Sequence, residues 1–221
     1  MNLEEFTNSE IKKQIGINDD FGRIYSFIDF GNVTYWFSDD IKNIDGEPLK
    51  DGEKLNIDFQ KLNDFSNIFS INKRFYYGIN SKNKGSAGFI FIAKKIFGKH
   101  NVFTKEIQQI KHYLNSEEFL NNTRAISEDR HGKFIYIPKC NFDVEICVDT
   151  IKLLDKYDTI CLFSSDSDFT ALLRFLKNKG KKVILIKGGF AQHELVDLAD
   201  LLINAQDIKQ HITFIKQKSS T

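Results

Sequence analysis

Two aspartates one residue apart, Asp166 and Asp168, stand in "CLFSSDSDFTALL" (161–173), where an apolar run gives way to a helical pattern. A third, Asp29, closes the apolar run "RIYSFIDF" (23–30), and a fourth, Asp143, opens "DVEICVDTIKLL" directly after the run "KFIYIPK" (133–139). Carboxylates gathered within a few ångströms repel one another, so either their pKa values rise or a cation neutralises them. Hard oxygen donors with no His or Cys among them suit Mg²⁺ or Mn²⁺ better than Zn²⁺. Such a cation keeps positions for water and phosphate oxygens, which is the requirement of metal-assisted phosphodiester hydrolysis. Asp149 lies about one and two-thirds helical turns beyond Asp143. If Val144, Cys147, Val148 and Ile151 form the buried stripe of that helix, Asp149 points away from it, toward the site or toward water.

These residues converge only if the elements beneath them are arranged to do so. Short apolar runs at 23–30, 73–79, 101–107, 133–139, 159–165 and 181–187 read as strands. Several are apolar throughout, as in strands covered on both faces. Helical spacing separates some of them, notably Phe169, Leu172, Leu173 and Leu176, ending at Gly180. Alternation of strand and helix predicts an α/β fold with a mostly parallel central sheet and helices on both faces. Such sheets place ligands beyond the carboxyl ends of their strands, which is where Asp29, Asp143 and Asp166 fall. Each carboxylate has a plainer reading too: Asp143, Asp166 or Asp168 can cap a helix, and Asn32 can shape the turn after Gly31.

Composition narrows the setting. The chain has 221 residues, with 31 Lys and Arg against 30 Asp and Glu, so an anionic partner must meet a local basic patch rather than bulk charge. Candidate phosphate contacts are Lys82, Lys84, Lys94, Lys95 and Lys139, with Arg174 and Lys177 on the helix after Asp168; Tyr76, Tyr77 or Trp36 are candidates to stack a base. Three cysteines without CxxC spacing and no signal-peptide pattern fit reduced thiols in a cytoplasmic protein. No apolar stretch approaches a membrane span. The segments 38–56 and 115–132 are polar and read as surface insertions.

The stretches "FIDFGN" (27–32), "FYYGIN" (75–80), "KCNFDVEICVDTI" (139–151), "SSDSDFTALLRFLKNKGKKVILI" (164–186) and "HELVDLADLLIN" (193–204) resemble the motifs of the NYN domain, in the LabA-like branch of the PIN-like nuclease superfamily. The resemblance implies a PIN-like, Rossmann-like three-layer sandwich. It delimits a lead-in at 1–20, a nuclease domain at 21–210 and a tail at 211–221. It also implies RNA cleavage with Mg²⁺ or Mn²⁺. Single-stranded RNA or structured loops are the expected target, because a shallow acidic site needs an accessible backbone, and a homodimer is among the expected assemblies. Carried over by position, Asp29, Asp143, Asp166 and Asp168 are the catalytic residues. The same four with Asp149 are the metal ligands, and Asn32, Lys139, Ser164, Ser165 and Arg174 are the substrate contacts. Ser165 stands where the family commonly has glycine. That departure keeps open a second reading, a noncatalytic module that binds nucleic acid or protein.

Overall fold

The computed structural model describes residues 2–115 and 125–217. Its centre is a six-stranded sheet built from β1 (Ile24–Asp29), β3 (Ser70–Ile79), β4 (Val102–Glu106), β8 (Thr159–Phe163), β9 (Lys182–Lys187) and β10 (Leu201–Asn204). The spatial order is β10-β9-β8-β1-β3-β4, and all five pairings are parallel. The chain fills one half of the sheet outward from β1, then returns to β1's other side with β8 and fills the second half. The strand order therefore reverses between β1 and β8, which is where open parallel sheets leave a crevice.

Alternation along the strands divides the core into two layers. Ile28, Phe75, Phe163 and Ile184 face one way and pack with α2 (Phe30–Val33), α3 (Phe59–Asn67), α4 (Lys84–Phe97) and α8 (Lys209–Ile212). Phe27, Tyr76, Leu162 and Leu185 face the other way, onto α5 (Asp143–Lys152), α6 (Thr170–Asn178) and α7 (His193–Val196). Three layers result, as the alternating pattern requires. Lead-in residues form α1 (Leu3–Gln14), closed by a capping box between Asn2 and Glu5, with no residue of it buried.

Three expectations are corrected. The run 133–139 is not a strand of the central sheet. It is β7 (Gly132–Lys139), the middle strand of an antiparallel wing with β5 (Gln108–Tyr113) and β6 (Ser127–Asp129). Its solvent-facing Tyr136 and its Pro138, which has no N–H to offer a ladder, suit a small outlying sheet better than a buried parallel one. The strand following α7, β10, takes the place in the sheet instead. The stripe on α5 is also different: Ile146 and Thr150 are buried, whereas Val144 is 71% exposed and Val148 and Ile151 face solvent. Finally, the end of the 38–56 segment and the tail are joined. β2 (Glu53–Ile57) pairs antiparallel with β11 (Thr213–Gln217), from Thr213 opposite Ile57 to Gln217 opposite Glu53. Of the second insertion, 116–124 lies outside the described residues, as do 218–221 of the tail.

Candidate active site

Parallel pairing of β1 with β8 sets Ile28 beside Phe163, so the residues that follow, Asp29 and Ser164, emerge together at the carboxyl edge of the sheet. The Ser164 hydroxyl donates to Asp29 Oδ2 at 3.2 Å and accepts from the Asp166 N–H at 3.2 Å. Asp166 Oδ1 accepts from the Asp168 N–H at 3.0 Å, capping the short turn Ser167–Phe169 that leads into α6. The capping reading of Asp166 is thus correct for one oxygen, and the other remains available. Asp143 is not an N-cap; it is the first residue of α5, and Asn141 grips it twice, through the Asp143 N–H at 2.7 Å and Asp143 Oδ2 at 2.6 Å.

One carboxylate oxygen from each of Asp143, Asp166 and Asp168 lies within 4.8 Å of the other two. Asp29, Asp143 and Asp166 together line a cleft of about 420 Å³ with Gly31, Asn32 and Lys139. Among the described residues no Lys or Arg forms an ion pair with any of the four aspartates. The electrostatics follow. Burial, reinforced by the charge on Asp143 and less by that on Asp166, pushes the Asp29 carboxyl up to about 6, although the Ser164 hydroxyl and the Asn32 N–H partly offset the shift. Burial raises Asp143 as well, with Asp166 and Asp168 adding to it against the opposing bond from Asn141. A site of several uncompensated hard oxygens, partly open to solvent, fits a divalent cation such as Mg²⁺ or Mn²⁺. A larger cleft of about 580 Å³ between α1, α3 and α8 gathers no comparable set of donors among the described residues.

The other expected residues divide. Asn32 Oδ1 accepts from Trp36 Nε1 at 2.9 Å and from the Ser165 N–H at 3.1 Å. With two N–H donors on one atom, that atom must be the oxygen, and the Asn32 NH₂ is left for the cleft. Ser165 latches the loop after β8 to the loop after β9: its hydroxyl donates to the Gly188 carbonyl at 2.6 Å and lies 3.2 Å from the Gly188 N–H. No described non-glycine residue has positive φ, so the backbone freedom of glycine is not used at 165. Lys139 lines the cleft from the end of β7. Arg174 is exposed on α6 and not part of the cleft lining. Lys177 pairs with Asp200 at 2.6 Å. Lys82, Lys94 and Lys95 are likewise absent from the lining, and the Lys84 side chain lies outside the described residues.

Asp149 is turned away from the cluster. Its Oδ2 accepts from Arg74 Nη1 at 2.6 Å and from the Tyr76 hydroxyl at 2.7 Å, so the carboxylate is already neutralised inside the fold. The expectation that it binds metal is withdrawn on that ground. Tyr76 and Trp36 are buried in the core rather than free to stack a base. Sequence reasoning missed Tyr35, which is 71% exposed on the rim of the cleft. Its place three residues after Asn32, on the turn leaving β1, was the available signal.

The NYN domain family profile matches residues 23–207, which is most of the chain. The chain belongs to the NYN domain family. This NYN domain is similar to the Low amplitude and bright protein LabA of Synechococcus elongatus, 32% identical over 78 residues, spanning 35% of this chain and 42% of that protein. Its fold is similar to the crystal structure of a protein of unknown function from Vibrio parahaemolyticus, with a TM-score of 0.58 at 19% identity, covering 89% of this chain and 99% of that one. The three-layer sandwich is therefore a PIN-like α/β fold, and the family places the NYN domain within the PIN-like nuclease superfamily. Among the described residues no helix is long and apolar enough to cross a membrane.

Proposed function

We propose that this NYN domain is a metal-dependent ribonuclease that hydrolyses RNA phosphodiester bonds, with Asp143, Asp166 and Asp168 as the cation ligands and Asp29 beside them. The observation that carries the reading is the convergence of those three carboxylates within 4.8 Å, without a basic partner among the described residues, at the point where strand order reverses. A bound Mg²⁺ or Mn²⁺ would supply a hydroxide-generating, charge-offsetting centre for phosphodiester cleavage. Asp29, buried on the cleft wall and hydrogen-bonded to Ser164, is the carboxylate left to take a proton from the attacking water. Ser164 orients Asp29 and Asp166 with one hydroxyl. The Asn32 NH₂ and Lys139, both on the cleft wall, are placed to hold phosphate oxygens.

End-labelled single-stranded RNA incubated with purified protein and Mn²⁺ or Mg²⁺ tests this directly, with Asp166→Asn as the control for a contaminating nuclease. Cleavage by wild type that falls on the order of a hundredfold or more in the variant supports the reading. Equal cleavage by both proteins, or none by either, refutes it.

A further inference from the structure

The wing between β4 and α5 presents a surface that the acidic cluster does not explain. Side chains alternate along β7, so Phe134, Tyr136 and Pro138 share one face. Directly opposite them on β5 stand Tyr113, Lys111 and Gln109. Tyr136 is 51% and Tyr113 42% exposed, and both pack edge-on against Phe134, with ring centroids 5.5 and 5.8 Å away. Lys111 Nζ sits 3.8 Å above the Phe134 ring and is paired with Asp129, whose carboxylate also accepts from the Tyr113 hydroxyl at 3.1 Å. Lys111 Nζ also lies over the Tyr113 ring, 5.1 Å from its centroid, so Tyr113 is held with one face covered and Tyr136 is the more open of the two rings.

Two observations say what covers this face. First, it runs into the cleft: Pro138 and Lys139 line the acidic cleft, and Tyr136 lies two residues up the same strand, about 7 Å away at strand rise. Second, the end of the track at the cleft is basic: Lys139 lines the cleft beside Pro138, whereas Lys111 on the aromatic face is already paired with Asp129. Rigid aromatic rings beside basic groups fit a polymer that offers flat bases on an anionic backbone. We propose that the aromatic face of the wing is an entry track for single-stranded nucleic acid, in which Tyr136 and Tyr113 stack bases and Lys139 meets a phosphate at the threshold of the acidic cleft. The track leads a strand to the centre assigned under the ribonuclease reading and rests on that reading for its purpose, but its binding can be measured separately.

The probe is a fluorescein-labelled 12-nucleotide single-stranded RNA, read by anisotropy in EDTA at low salt so that no cleavage occurs. Tyr136→Ala should weaken binding roughly fivefold to a hundredfold, the range for losing one stacked base, and Tyr136→Phe should retain it. An abasic 12-mer of equal charge should bind wild type more weakly than the RNA. In parallel, hydrolysis of bis(p-nitrophenyl) phosphate with Mn²⁺, which has no strand to dock, should proceed equally in wild type and Tyr136→Ala. Unchanged affinity in Tyr136→Ala, equal binding of the abasic strand, or failure of wild type to bind the RNA overturns the track. A wild-type dimer that Tyr136→Ala dissociates would assign the face to a second copy and overturn it as well. Absence of cleavage of the end-labelled RNA by wild type with Mn²⁺ would instead defeat the ribonuclease reading, leaving the anisotropy result to decide the track alone.

Discussion

Replacing Asp29 by Asn should stabilise the metal-free protein, and by an amount that depends on pH in a set direction. Asp29 is only 9% exposed, and its carboxyl is raised from 3.8 to about 6 in the folded state. Below pH 3.8 the group is protonated whether the chain is folded or not, and it contributes no pH dependence. As pH rises through that value the unfolded chain releases its proton while the folded one holds on, so stability falls until the pH passes about 6. At 1.36 kcal/mol per pKa unit, the full penalty is on the order of 3 kcal/mol, of which about half has accrued by pH 5. Asn can still accept from Ser164 and from the Asn32 N–H, so the variant loses the charge and keeps the hydrogen bonds. For a chain of this length each kcal/mol moves the melting temperature by about 2–4 °C. In EDTA, Asp29→Asn should melt about 6–12 °C above wild type at pH 8 and about half that at pH 5. With millimolar Mn²⁺ the advantage should shrink or reverse, because a cation that binds only the native state stabilises wild type by mass action, about 2.7 kcal/mol at a hundredfold excess over Kd. Differential scanning fluorimetry at the two pH values, with and without Mn²⁺, reads all four numbers. A variant that melts below wild type in EDTA at pH 8, or whose gain is the same at both pH values, refutes the argument that this carboxylate is buried against its neighbours' charge.

Asp149→Asn should lower stability by about 1–3 kcal/mol in urea melts, because Arg74 loses its counter-ion in a partly buried setting, while cleavage per folded molecule stays within about twofold. A folded Asp149→Asn with no cleavage would restore this residue to the metal site. Ser165→Ala removes the bridge to both backbone groups of Gly188 and should cost about 1–2 kcal/mol by the same assay; no loss would show that the two loops hold together without it. At Gly188 a Cβ would collide with the Trp36 ring, so Gly188→Ala should destabilise by about 1–3 kcal/mol and shift the emission of the chain's single tryptophan. Unchanged fluorescence and stability would mean the contact is easily relieved.

What could be read in the sequence was whatever the chain states locally. Asp29 and Asp166 follow apolar runs that read as strands, and parallel strands put such ends on one edge; that β1 and β8 are neighbours in register, the condition for convergence, came only with the structure. The error over "KFIYIPK" arose because apolar alternation marks a strand without naming its partner. That strand pairs with 108–113, a segment whose Gln, Lys and His disguise it. The helix at 143–152 offered two stripes of four-residue spacing. Which one is buried was decided by Tyr157, Phe142 and Phe27, packed in the same cluster as Ile146 and distant from α5 in sequence or outside its period. Asp149 could not be placed without knowing that Arg74 and Tyr76, on β3 and four strands earlier in the chain, would rise to meet it.

The wing leaves the central fold at Gln108 and returns at Lys139, and those two residues are paired opposite one another. An excursion whose two ends meet transmits nothing of its length to the scaffold. Its tip can grow, shrink or be exchanged while Asn141 still delivers Asp143 to the same spot. The protein is in this sense two parts joined at one seam: an acidic edge set by the central sheet, and an outlying wing whose length that edge does not feel.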